Sequence, residues 1–458
     1  MTYQAIITPL VNVRPHGNAD RLRLATVCGH QIITSLDKED GELGIFFPSD
    51  GRLTHEMLVK NTLYQKNPET GETMGGYFGK NGRVRAQNFR GEKSDGFWIE
   101  LGSVAWTGVN LEELKEGEQF THLNGVEVCK KYINPATLRA ARMNKQKGTA
   151  RRRLFEMLKP HFDTPQLRYE IHTIPAGSII YLSEKIHGTS GRTGHILAEQ
   201  LVTGFKGWWN RHLGEKTRLT FKPRMEWQVI SGTRRVVLDP KADVDLGYYS
   251  GKTFRVQIHK MFELLEIPKG VTFYYEIVGY DEQGGQLMPS HSVEKIGDKK
   301  LRKQVKKLYG DQITYSYGCH TGMPYRVIVY RVTMTNPDGE VIDYSWPQVK
   351  EICGRFGLET VPELSDVPQI FCKEDEAFDF GCDKVTLAHQ VEIYLDQPSR
   401  LDESHILEGV CVRAEQPDGR MRIMKDKGYL FKVLEGIVKS DPDIVDIEEA
   451  EDLSDCLS

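Results

Sequence analysis

Ser178-Ile179-Ile180-Tyr181-Leu182-Ser183-Glu184-Lys185-Ile186-His187-Gly188-Thr189 is the stretch on which the reading of this chain turns. A strongly apolar run ends in a lysine beside a glycine turn. A lysine displayed at a strand end can attack a nucleotide phosphate. Strand alternation places Lys185 and His187 on one face and Glu184 and Ile186 on the other. Gly188 ends the strand and lets a phosphate approach the backbone. A lysine amine with a pKa of about 10.4 is protonated at neutral pH, so nucleophilic use requires depression by burial or nearby cations. Metal ions and clustered Lys and Arg side chains would provide them. A Lys-x-x-Gly string is short enough to arise by chance, so its weight rests on the charged strands downstream of it.

Four further apolar strands carry charge. Val271-Thr272-Phe273-Tyr274-Tyr275-Glu276-Ile277-Val278-Gly279 holds one carboxylate in a β-branched and aromatic context. Such a group is costly without a partner, so Glu276 either pairs with an arginine on the adjacent strand or serves a site. In Tyr325-Arg326-Val327-Ile328-Val329-Tyr330-Arg331-Val332, Tyr330 is either core or one wall of a base pocket. Ile406-Leu407-Glu408-Gly409-Val410 again opens an apolar strand with a carboxylate, a hard oxygen ligand suited to Mg²⁺. In Met421-Arg422-Ile423-Met424-Lys425-Asp426-Lys427, alternation puts Lys425 and Lys427 on the same face as Met421 and Ile423. Two lysines on an apolar face require anions, and a triphosphate is a natural partner.

The chain has 458 residues and a net charge of −4, which excludes a uniformly basic nucleic-acid coat but leaves local basic surfaces at 83–93, 139–153 and 295–307. Eight scattered cysteines without a Cys-x-x-Cys pair suggest neither a disulfide framework nor a zinc knuckle and fit a reducing cytoplasm. There is no signal-length apolar start and no run of eighteen apolar residues, so a soluble protein is expected, with no membrane partner. Residues 1–125 read as short strands with turns, an OB-type barrel being the expected form. Residues 126–167 read as a helical connector, 168–440 as a mixed domain of antiparallel sheets flanked by helices, and 441–458 as an acidic tail. The expected class is therefore α+β. Helices are expected over Met261–Ile267 and Trp346–Phe356.

The ordered strings Lys185-x-His187-Gly188, Ser231-Gly232-Thr233-Arg234-Arg235, Tyr275-Glu276-x-x-Gly279, Tyr330-Arg331-Val332, Glu408-Gly409-Val410 and Lys425-x-Lys427 resemble the covalent nucleotidyltransferase superfamily of ATP-dependent ligases and capping enzymes. Histidine at the third place of the lysine motif, with Glu184 before and Thr189 after it, resembles RNA ligases. DNA ligases and capping enzymes typically carry aspartate there. The cluster Arg83-Val84-Arg85 to Arg90-Gly91-Glu92-Lys93-Ser94-Asp95 is similar to RNA ligases with an amino-terminal OB module. Arg331 departs from the acidic residue some relatives place after the aromatic, and an insertion separates Lys185 from the arginine pair. The segments 285–325 and 355–400 match no motif.

The resemblance implies that Lys185 takes AMP from ATP, passes it to a 5′-phosphate, and that a 3′-hydroxyl then displaces it, in a monomer acting on RNA or an RNA/DNA duplex with a strand break. It implies ATP contacts for Glu184, Lys185, Gly188, Glu276, Tyr330, Lys425 and Lys427, with Tyr330 stacking on adenine. It implies Mg²⁺ or Mn²⁺ at Glu276 and Glu408, catalytic duty for His187, Glu408, Lys425 and Lys427, and one of Arg234 and Arg235 at the strand termini. Arg83, Arg85, Arg90 and Lys93 would hold phosphates beside a nick, or else form a basic loop packed on the catalytic domain. RNA capping is the competing enzymatic reading, disfavoured by His187 and the lack of an obvious carboxy-terminal OB domain. A binding protein on an inactive scaffold is the non-enzymatic one.

Overall fold

The computed structural model describes residues 3–145, 157–199, 204–212, 221, 224–234, 236–238, 249, 251–372 and 381–439. Arg235 and the acidic segment 441–458 lie outside the described residues. The architecture is mixed α and β with mainly antiparallel sheets.

The strands expected near the amino terminus form, but not as one closed barrel. Ala5–Pro9, Leu43–Phe47, Phe97–Glu100 and Gln119–Phe120 make a four-stranded sheet, while Val11–Pro15, Leu22–Val27 and His30–Ser35 make a separate three-stranded one. Two small cores result, one around Ile7, Ile45, Phe47 and Phe78, the other around Ile32, Phe46 and Trp98. The β-character was readable in the sequence; closure depends on pairing between distant strands, which local pattern does not specify.

Two larger sheets come next in the chain. In the first, Ile179–Lys185 pairs with Gly409–Glu415, which pairs with Met421–Lys427. In the second, Thr189–Glu199 lies between Met225–Gly232 and Val271–Gly279, and the latter pairs with Tyr325–Thr335. The chain crosses between the sheets in only three residues, Ile186 to Gly188. A Cβ at position 188 would stand 2.8 Å from the Ile277 carbonyl oxygen, so the glycine is demanded by this crossing itself.

The Trp346–Phe356 helix forms as the sequence indicates. Ser345 and Gln348 make a reciprocal capping box, Pro347 sits in the first turn, and Gly357 closes the helix at φ 65°. The other expected helix runs over Phe254–Leu264 instead of Met261–Ile267. Its apolar face, Phe254, Ile258 and Phe262, packs into the main core, and packing rather than local pattern sets where it begins.

The Tyr429–Lys439 helix ties the amino-terminal sheets to the two larger ones. Lys432 Nζ lies 2.7 Å from Asp95, whose carboxylate also meets His30 at 3.0 Å and accepts from Ser49 Oγ at 2.8 Å. Tyr429 donates to Asn88 at 2.6 Å, and Arg83 donates to the Gly436 carbonyl at 3.0 Å. Burial opposes charge on Asp95, but Lys432 and His30 outweigh it and hold the carboxyl well below its ordinary range. Asp95→Ala is expected to cost about 3 kcal/mol, since it strands the half-buried Lys432 and leaves His30 without its partner. Denaturant titration would read that loss. Because the Asp95 pKa is depressed, its contribution persists above the ordinary carboxylate range and disappears only as pH falls through the depressed value.

Candidate active site

The register of the first sheet assembles the site. Lys185 lies opposite Gly409, which lies opposite Lys427; two residues back, Ser183, Cys411 and Lys425 form the next row on the same face. Gly409 admits no side chain, because a Cβ there would stand 2.1 Å from the Asp426 carbonyl oxygen. The two lysines therefore flank a bare strip of backbone, at whose end Glu408 enters.

Glu408 is buried and gathers the cations. Its carboxylate lies 2.7 Å from Lys185 Nζ, 3.1 Å from Lys427 Nζ and 3.5 Å from His187 Nδ1. Burial alone would raise its pKa, but Lys185 and Lys427 hold it well below the ordinary carboxylate range. Lys427 also meets Glu435 at 2.9 Å, so the Tyr429–Lys439 helix braces this lysine too.

The expected depression of the Lys185 pKa is not found in this state. Burial and Lys427 pull the value down, but Glu408 outweighs them and leaves it raised. The depressed lysine is Lys425, brought to about 7 by burial together with Lys185 and Lys427. Among the described residues no carboxylate pairs with Lys425 as Glu408 does with Lys185, which is the physical reason for the reversal.

Two cavities meet at these residues. A cleft of 790 Å³ runs between the amino-terminal sheets and the two larger ones, lined by Arg85, Lys131, Lys185, His187, Gly188, Glu408, Lys427 and Arg422 among others. A smaller cavity of 130 Å³ is walled by Phe162, Tyr181, Tyr274, Tyr330 and Trp346, with Ser190, Arg192 and Arg413. Lys185, Lys425, Glu276 and Arg234 border both. Lys185 thus stands where an aromatic slot opens into a cationic cleft.

Glu276 lies opposite Ser190 and accepts its hydroxyl hydrogen bond at 3.0 Å. Tyr330 owes its position to a β-bulge: Tyr274 pairs with Arg331 and Tyr275 with Val329, leaving Tyr330 as the extra residue. Bulges re-aim side chains beside functional sites. Its ring meets His161 edge-on at 5.0 Å. Arg331 bonds Asp343 and lies 4.3 Å over the Phe162 ring, bracing the slot from behind.

Several expected site residues fall elsewhere. Glu184 borders the slot, but its carboxylate turns away and accepts the Arg400 N–H at 2.8 Å. Arg83 borders the cleft but is buried at the seam, 3.9 Å from Asp50 and bonded to the Gly436 carbonyl, which ties it to the Tyr429–Lys439 helix. Arg90 is exposed on the Ala86–Asp95 hairpin, bonding Asn18, and Lys93 reaches Asp396 at 3.5 Å. Of this group Arg85 is exposed and lines the cleft with Lys185. Arg234 meets Asp163 at 2.9 Å at the cleft edge.

Sequence reasoning missed the wall around His187. The segment without a motif supplies His291, Tyr315 and Tyr317: His187 N–H donates to the Tyr317 hydroxyl at 2.7 Å, and the His187 ring stands edge-on to Tyr315 at 4.7 Å and Phe431 at 5.0 Å. His291, hydrogen-bonded to Tyr315 at 2.9 Å, is kept neutral by burial, its pKa brought to about 3.

Among solved structures, the chain is similar to RNA ligase structures from Naegleria gruberi. An apo variant shares 13% identity at a TM-score of 0.53, covering 94% of this chain and 98% of that one. A variant with AMP and Mn shares 12% at 0.54, over 96% and 99%. The chain has the fold of that ligase. A structure of it with PPi shares 14% at 0.53, over 93% and 97%. No family model matches this sequence, and no curated protein matches it significantly. The likeness runs through both the amino-terminal sheets and the two larger ones.

Proposed function

We propose that the chain is an ATP-dependent RNA ligase that joins 3′-hydroxyl and 5′-phosphate ends through a lysyl-AMP intermediate. The observation that carries this reading is the position of Lys185, at the mouth of an aromatic slot and the floor of a cationic cleft, against Glu408 and beside Lys425 and Lys427. Adenine would lie in the slot against Tyr330, with the ribose near Glu276, and the phosphates would extend into the cleft.

The first step requires Lys185 to shed the proton that Glu408 helps it keep. Its lone pair then attacks the α-phosphorus, the bond to the bridging oxygen breaks, and pyrophosphate departs, leaving a P–N bond. In the second step a 5′-phosphate oxygen displaces the lysine, which regains a proton. In the third the 3′-hydroxyl attacks that 5′-phosphorus and AMP leaves. Lys425 and Lys427 stabilise charge on the α-phosphate, the principal need of phosphoryl transfer. His187 is held in place by Glu408, Tyr315 and Phe431 to meet the departing phosphates or the incoming 5′ end.

Among the described residues no three His, Cys, Asp or Glu side chains converge as a metal cage. Single carboxylates at Glu408 and Glu276 fit Mg²⁺ or Mn²⁺, whose shells are completed by phosphate and water. A cation bound there would supply positive charge beside the α-phosphate. The amino-terminal sheets, as an OB-like module, would grip the duplex beside a nick through Arg85, Arg90 and Lys93, with Arg234 or Arg235 at the strand ends.

ATP binding at pH 8 is expected to take up close to one proton. Free Lys425, with a pKa of about 7, is then mostly neutral; adjacent phosphate would return it toward the ordinary lysine range and protonate it. Calorimetry in buffers of different ionisation heat measures the uptake, and Lys425→Met should remove it.

Sealing of nicked duplexes with ribonucleotides placed on one side of the break at a time tests the substrate assignment. Activity requiring RNA at the break supports the reading, and label accepted from GTP instead of ATP would replace it with capping chemistry.

A further inference from the structure

The segment between the His187 wall and Tyr315 carries a feature that adenylate transfer does not use. Lys299–Tyr309, Lys299-Lys300-Leu301-Arg302-Lys303-Gln304-Val305-Lys306-Lys307-Leu308-Tyr309, is a helix capped by Asp298, which accepts from Leu301 N–H at 2.7 Å. Leu301, Val305 and Tyr309 recur every four residues and pack into the main core. At 100° per residue, Lys299, Lys300, Lys303 and Lys307 fall on the opposite face, and all four are exposed.

The local carboxylates are spent on other cations. Glu294 meets Arg302 at 3.4 Å and Lys306 at 3.1 Å, and Asp311 pairs with Lys306. No ion pair joins Lys299, Lys300, Lys303 or Lys307 to a described residue. Four like charges on a helix of roughly 16 Å repel one another, a cost that an external polyanion would offset.

The helix is fixed to the site. The chain leaves through His291–Ser292 and returns through Gln312–Ile313, and these short strands pair antiparallel. His291 lines the cleft, its ring 6.3 Å from that of His187, and Tyr315, two residues past the return, stands edge-on to the same ring. The four lysines therefore project from an excursion whose base is the cleft wall beside the catalytic lysine.

We infer that this lysine face is an RNA-binding surface, taking the phosphate backbone of the substrate as it leaves the cleft on the His187 side. The inference rests on the ligase reading for its substrate. The occupant is a polyanion with regularly spaced charges and no base-specific contact, because ammonium groups on a convex helix present point charges and no pocket.

The test is the full-length protein with Lys299, Lys300, Lys303 and Lys307 all changed to glutamine, whose helix propensity is close to that of lysine. Two quantities are read: lysyl-AMP formation with ATP, and binding of a nicked RNA duplex with a blocked 3′ end across a salt titration. Lysyl-AMP formation should be unchanged. RNA binding should weaken by about tenfold at low salt, and the slope of log affinity against log salt should become shallower by about two or more. Arginine at the same four positions should restore both. Lys306→Gln, removing a charge already paired, should leave the slope as it was. Lysyl-AMP formation intact with affinity and slope unaltered would overturn the inference, leaving a solvated face or a site for an acidic protein. Absence of lysyl-AMP in the unaltered protein would instead overturn the ligase reading, while the binding measurement still decides the role of the helix.

Discussion

Glu408→Gln is expected to reduce lysyl-AMP formation about a hundred- to a thousandfold while making Lys185 more, not less, reactive toward small acylating reagents at pH 8. Both effects arise from one geometry. The carboxylate lies 2.7 Å from Lys185 and 3.1 Å from Lys427 and is the main influence raising the Lys185 pKa. Without its charge, burial and Lys427 remain, and both lower that pKa, so a larger fraction of the amine is unprotonated. Adenylate transfer nonetheless fails, because the charge that orders the cations around the α-phosphate is gone, and loss of one such preorganised group typically costs that much. In the unaltered protein the raised pKa means that the Lys185–Glu408 pair contributes stability below the ordinary lysine range and loses it as pH rises through the raised value. Parallel measurement of labelling by ATP and modification of Lys185 would separate these effects. A fall in both together would mean that Glu408 merely supports the fold.

Lys185→Ala is expected to abolish lysyl-AMP formation while sparing the last chemical step. No neighbour can replace the nucleophile: Lys427 is held between Glu408 and Glu435, and Lys425 sits one row back beside Cys411. The cleft and its cations persist, so a strand already carrying AMP on its 5′-phosphate should still be sealed at a measurable rate, because that step needs the 3′-hydroxyl and a stabilised leaving group but no lysyl intermediate. Gel assays with adenylylated and plain 5′-phosphate strands make the comparison. Equal loss with both would show that Lys185 acts through the shape of the site instead of as the nucleophile.

The parts of the site that the sequence disclosed come from alternation along single strands and from the resemblance carried by the motif series. Lys425 and Lys427 sit on one face of Met421–Lys427 as a two-residue period puts them, and registration brings Lys185, Gly409 and Lys427 into line, whereas His187 lies in the crossing after its strand and Glu408 just before its own. What remained hidden depends on contacts between segments far apart in the chain. The bulge that re-aims Tyr330 is visible only when its partner strand is counted. The wall of His291, Tyr315 and Tyr317 comes from a stretch that matches no motif. Arg83 reads as a surface charge in a basic cluster, yet the Tyr429–Lys439 helix closes over it. The pKa order of the lysines was missed because a lysine with a carboxylate at 2.7 Å and one without behave oppositely under the same burial.

The fold supports this division. The sheets bearing Lys185, Glu408 and the paired lysines are joined to the amino-terminal sheets by Asp95–Lys432, while the same helix reaches Lys427 through Glu435. A nucleic-acid strand lying in the 790 Å³ cleft would touch both sides at once, which gives the seam a role in positioning as well as in stability.

The most direct measurement is to incubate the unaltered protein with ATP and Mg²⁺, without RNA, and locate any covalent nucleotide by peptide mass spectrometry. The proposed chemistry requires one adenylyl group per chain, on the Lys185 amine, released as AMP by acid and discharged by pyrophosphate. An adduct on another residue, or none under conditions where the folded protein binds ATP, would contradict it.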